Sequence, residues 1–74
     1  MDNRRLKMYY EMFADVWKLF RHHSNPDGSI KFWEDYTKAA DDLDKKYLKN
    51  NFLRKLITEV TKELEKLEKE GEKT

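Results

Sequence analysis

Leu43-Asp44-Lys45-Lys46-Tyr47-Leu48-Lys49-Asn50-Asn51-Phe52-Leu53 is the stretch that decides the fold. It holds no proline or glycine, so residues 30–69 read either as one long helix or as two. The apolar pattern separates the options. Before this stretch the seam is Trp33, Tyr36, Ala40, Leu43 and Tyr47, with Phe32 and Ala39 alongside. After it the seam is Leu53, Leu56, Ile57, Val60, Leu64 and Leu67. On one continuous helix the second seam would be rotated roughly 120° from the first. A break at Asn50-Asn51 removes the mismatch, because asparagine suits both a left-handed helix end and an N-cap. The reading predicts helices over about 30–48 and 52–69.

Upstream, within Ser24 to Ser29, Asn25-Pro26-Asp27-Gly28 has the preferred residue at each position of a type I turn, with Ser29 placed to cap the next helix. Before it, Leu6, Tyr9, Tyr10, Phe13, Val16, Trp17 and Phe20 recur at helical spacing, so residues 4–22 form a helix that Asp2 or Asn3 can cap. A second stripe, Met8, Met12 and Leu19, lies beside the first. Together they span an arc of roughly 200°, about twice what one neighbouring helix covers. The first helix is therefore expected to be central, contacted from two directions. The expected architecture is all-α: a single three-helix bundle over residues 1–69, with residues 70–74 as a frayed C-terminal tail.

Composition narrows the chemistry. With 74 residues there is room for one domain. Without cysteine there is no disulfide, thiolate metal site or thiol nucleophile. No run approaches the roughly 18 apolar residues of a membrane span. The mixed-charge start, Met1-Asp2-Asn3-Arg4-Arg5, is not that of a signal peptide, so the cytoplasm is the expected compartment. No nucleophile motif or glycine-rich phosphate loop is present, and the reading is that the protein is not an enzyme.

Two segments carry partial metal patterns. With Gly28 at the sixth position of a calcium loop, Asn25, Asp27, Ile30 and Glu34 fall on expected residue types, but His23 stands where the first carboxylate belongs. A capped turn explains the same residues. His22 and His23 are adjacent, which lacks the i, i+4 spacing of helical zinc ligands; two histidines in a last turn suit the negative end of a helix instead. No metal or cofactor is expected.

Charge is nearly balanced, at +1, but segregated. Residues 45–58 carry Lys45, Lys46, Lys49, Arg54 and Lys55 and no acid. Arg54 and Lys55 sit in the first turn of the third helix, at its positive end, where local electrostatics disfavours them. Either Asp41, Asp44 or Glu59 neutralises them, or the five cations form a contact patch for an acidic protein surface. Met8, Met12 and Leu19 are the second candidate surface, a self-association face for a homodimer. A DNA-binding reading would use Asn51, Arg54, Lys55, Thr58 and Lys62, against the acids Glu59, Glu63 and Glu65 that follow.

Several pieces together resemble small helical proteins of bacterial prophages and other mobile elements. They are Tyr9-Tyr10, Ala14 to Phe20, Phe32-Trp33-Glu34, Leu43 to Tyr47 and the Leu56 to Leu64 run. The resemblance implies a compact helical regulator, or an inhibitor of a host defence system, with no catalytic residues to carry over. The sequence thus points to a non-enzymatic protein-interaction module, with a DNA-binding regulator as the alternative.

Overall fold

The computed structural model describes residues 1–72. Three helices follow one another: α1 (Asn3–His22), α2 (Ile30–Lys46) and α3 (Asn51–Glu72). All three pack on one another, giving the expected three-helix bundle. α3 runs beyond residue 69, so the expected tail begins inside a helix; residues 73 and 74 lie outside the described residues.

The break between α2 and α3 is where the two seams required it, but it is built differently. The Leu48 N–H donates to the Lys45 carbonyl at 3.2 Å and the Lys49 N–H to the Asp44 carbonyl at 2.7 Å, a Schellman motif that satisfies the last carbonyls of α2. The left-handed residues are Leu48 (φ 54°) and Lys49 (φ 58°), not asparagines. Asn50 is the N-cap: its Oδ1 accepts the Leu53 N–H at 3.1 Å.

The first connection keeps the expected Ser29 cap but not the expected type I turn, since no Gly28 N–H to Asn25 carbonyl bond forms among the described residues. Asp27 Oδ1 accepts the Ser29 N–H at 2.9 Å, and Ser29 Oγ accepts the Phe32 N–H at 3.1 Å. Gly28 takes φ 77°, a conformation that suits glycine. At the end of α1, His23 Nδ1 lies 2.9 Å from the Leu19 carbonyl. A carbonyl only accepts, so Nδ1 carries the proton and the ring caps the helix.

The core has two ends. Met12, Val16 and Leu53 form one; Leu19, Tyr36 and Leu64 form the other; Leu43, Ile57 and Val60 pack against both. Tyr36 keeps its hydroxyl satisfied on Thr61 Oγ1 at 2.7 Å. Burial pushes its phenol up from the ordinary value, more than the Thr61 bond lowers it.

Two expectations about α1 are corrected here. Met12 is 0% and Leu19 5% exposed, and Met8 packs against the cluster of Met12, Val16 and Leu53, so this stripe is core and not a self-association face. α1 does pack on both α2 and α3, as expected, but the arc they cover is narrower than expected, since Leu6, Tyr10, Phe13 and Trp17 stay exposed. Its contacts with α2 and α3 fall on the side carrying Met8, Tyr9, Met12, Val16 and Leu19. Ring size is not the reason, since Phe32, Trp33 and Tyr36 of α2 pack into the core; the number of layers is. The molecule measures 48 × 19 × 17 Å. That width admits two layers of helices about 10 Å thick, so no third layer covers the far side of α1.

Candidate functional site

The uncovered side of α1 carries Leu6, Tyr10, Phe13 and Trp17, which are 59%, 71%, 54% and 59% exposed. With Phe20 they step by four, three, four and three residues, the spacing of a continuous helical seam. The rings are ordered against each other. Trp17 stacks on Phe20 with centroids 6.3 Å apart and planes 9° from parallel. Phe52, from the first turn of α3, meets Tyr9 edge-on at 5.2 Å and Phe13 at 5.6 Å. The aromatic stripe therefore reaches α3 on one side.

Both borders are charged, with opposite signs. Phe52, Glu59 and Glu63 share one edge of α3 by the helical period, and the contacts of Phe52 with α1 place that edge beside the stripe. Glu59 and Glu63 are exposed there. The other border is the far edge of α1, where Lys7, Lys18 and Arg21 share a side and are exposed. Within these borders Lys7 pairs with Glu11 at 4.0 Å and Glu59 with Lys62 at 3.4 Å, so across the face the order is acidic at Glu59 and Glu63, aromatic in the middle and basic at Lys18 and Arg21, with one opposite charge beside each edge.

Of the five cations singled out in the sequence, Lys46 and Arg54 are held by acids of the chain itself. Lys46 Nζ lies 2.8 Å from Asp15 Oδ2, bridging α2 to α1. Tyr47 Oη donates to the same oxygen at 2.5 Å. Burial pushes the Asp15 carboxyl up, but the bonds from Lys46 and Tyr47 and the Lys46 charge outweigh it and hold the group below its ordinary 3.8. Arg54 grips Asp44 through two bonds, Nε to Oδ1 at 3.0 Å and Nη2 to Oδ2 at 3.2 Å. That bond and the guanidinium charge lower the Asp44 carboxyl as well. Arg54, the cation at the wrong end of a helix dipole, is thus answered by Asp44, as one of the two readings supposed. Lys45, Lys49 and Lys55 remain exposed around the α2–α3 turn.

Sequence reasoning missed the aromatic face because it placed those rings inside. A signal was available. α1 carries two parallel seams of equal spacing, Tyr9-Met12-Val16-Leu19 and Leu6-Tyr10-Phe13-Trp17-Phe20, and a two-layer bundle covers one of them.

Among the described residues no three histidine, aspartate or glutamate side chains converge as metal ligands. No helix among them is long and apolar enough to cross a membrane. No protein-family model, curated protein or solved structure matches the chain.

Proposed function

We propose that the chain is a non-enzymatic, cytoplasmic protein-interaction module, and that its contact surface is the outer face of α1 with Phe52, not the Lys45 to Lys55 region. One observation carries this reading: Leu6, Tyr10, Phe13, Trp17 and Phe52 stand side by side in solvent above a core that is already complete without them. Together they leave roughly 600 Å² of apolar surface bare, given the usual area of such side chains. That lies at the upper end of what monomers expose, and larger patches of this kind mark interfaces. Tryptophan and tyrosine are also the residues that most often dominate binding energy.

The alternative, DNA recognition through the start of α3, is weakened by the hold of Asp44 on Arg54 and by the exposed Glu59 and Glu63 farther along that helix. The resemblance to mobile-element proteins supports a regulator or inhibitor that works by occupying another protein surface.

Photo-cross-linking tests the assignment. A photoreactive amino acid replaces Tyr10 in one version of the protein and Lys55 in another, and both are irradiated in cells. Strong protein adducts from position 10 and weak ones from position 55 are expected. Adducts concentrated at position 55, or none at position 10, would overturn it.

A further inference from the structure

We propose that the occupant of this face is a second copy of the chain, packed as a parallel two-fold pair with the aromatic stripe on the axis; this rests on reading the face as an interaction surface. The order acidic, aromatic, basic is self-complementary under one rotation. A two-fold axis along the stripe exchanges left and right while preserving height. It lays rings on rings and sets the basic edge of each copy over the acidic edge of the other.

The heights agree. α1 and α3 run in the same direction, because Met12 packs with Leu53 at one end of the core and Leu19 clusters with Leu64 at the other. That register brings Glu59 and Glu63 level with Lys18 and Arg21. In the parallel pair, Lys18 and Arg21 of each copy therefore face Glu59 and Glu63 of its mate. In the antiparallel pair, with its axis across the stripe, Lys18 and Arg21 meet instead the Lys7–Glu11 pair of the mate, and Glu59 and Glu63 fall level with its α2–α3 turn, so the reciprocal contacts of Lys18 and Arg21 with Glu59 and Glu63 belong to the parallel form alone.

Area is sufficient. A stable interface takes about 800 Å² from each partner. The stripe supplies most of that as apolar surface, and the two charged edges form the polar rim such interfaces have. A chain of 74 residues without a disulfide or metal also gains the most from burying a second apolar face.

The test uses the whole chain. Sedimentation equilibrium is expected to show a dimer dissociating in the micromolar range. Trp17→Glu should give a monomer of unchanged helicity, since Trp17 lies outside the core. Lys18→Glu with Arg21→Glu should weaken the pair about tenfold or more. Adding Glu59→Lys and Glu63→Lys to that variant restores the complementarity and should recover it. Leu6→Cys is a single thiol in a chain with no other, and it reports orientation. In the parallel pair the two thiols meet and oxidise to a linked dimer. In the antiparallel pair they lie about 20 Å apart along the axis and stay unlinked.

A chain that sediments as a monomer at about 0.5 mM, far above any micromolar dissociation constant, overturns the proposal. So does a dimer indifferent to Trp17→Glu, or one strengthened by Lys18→Glu with Arg21→Glu. A monomer whose position 10 still cross-links to a different protein defeats self-pairing and leaves the interaction reading standing; a monomer that cross-links to nothing removes both.

Discussion

The two seams of α1 share a helix, a spacing and nearly the same length, and their fates are opposite. Tyr9, Met12, Val16 and Leu19 face α2 and α3, while Leu6, Tyr10, Phe13 and Trp17 face outward. Hydrophobicity does not distinguish them. Composition differs, mostly aliphatic inside and mostly rings outside, but ring bulk does not decide burial, since Phe32, Trp33 and Tyr36 of α2 pack into the core. A long aromatic row without a neighbour is the composition of an interface rather than of a small core. Burial thus follows the number of layers in the bundle, and the outer rings are left uncovered.

Truncation separates the seams most sharply. Met12→Ala removes a fully buried side chain where α1 meets Leu53, and it should cost about 3 kcal/mol. Leu64→Ala should do the same at the other end of the core. Urea unfolding followed by circular dichroism reads both. Losses under about 1 kcal/mol would mean that the inner seam is not the one that holds the bundle together.

A third side of α1 is polar, and its effect is expected to be smaller. Asp15 takes bonds from Lys46 and Tyr47 and so pins α1 to the end of α2. Asp15→Ala leaves the Tyr47 hydroxyl without this acceptor and should cost about 1–2 kcal/mol. The contribution depends on pH in a defined direction. The folded carboxyl titrates below the ordinary 3.8, so the unfolded chain takes up a proton first as the pH falls. The stabilisation is complete above 3.8 and is lost as the pH drops through the folded value. Unfolding midpoints between about pH 5 and pH 2 should fall less steeply in Asp15→Ala than in the parent. Parallel curves would show that the pin carries no weight.

On the outer seam, Trp17→Ala should change monomer stability by less than about 1 kcal/mol, because the ring is more than half exposed and rests chiefly on Phe20. The measurement belongs below the concentration at which copies associate, since association adds its own stabilisation. A cost equal to that of Met12→Ala under those conditions would place Trp17 in the core and erase the contrast.

What the sequence disclosed divides along the same line. The Ser29 cap and the inner faces of α2 and α3 were legible because local rules govern them: Ser29 accepts from Phe32, and Tyr36, Leu53 and Leu64 lie where the period puts them. The orientation of α1 was not legible, because an arc near 200° satisfies the period whichever way it turns. The outcome rests on how many layers the bundle has, a property of the whole molecule. The cation patch was half legible. The conflict of Arg54 with its helix dipole was visible, and Asp44 was among the residues named to relieve it, but Asp15 reaches Lys46 from 31 residues away.

The smallest expected effect compares the two connections. Gly28 and Leu48 both hold the left-handed conformation, with φ of 77° and 54°, yet one is glycine and the other a β-carbon-bearing leucine that is 88% exposed. A non-glycine residue pays about 1 kcal/mol or more for that conformation. Leu48→Gly removes the cost and gives up almost no burial, while glycine adds freedom to the unfolded chain. The net should be a gain of about 0.5 kcal/mol. Gly28→Ala should run the other way: no atom lies within 4 Å of the added carbon, so steric crowding plays no part and backbone strain alone sets the sign. A loss of about 1 kcal/mol is expected. If Leu48→Gly destabilises instead, then Leu48 has a partner that the single chain lacks, and the turn between α2 and α3 belongs to the contact surface after all.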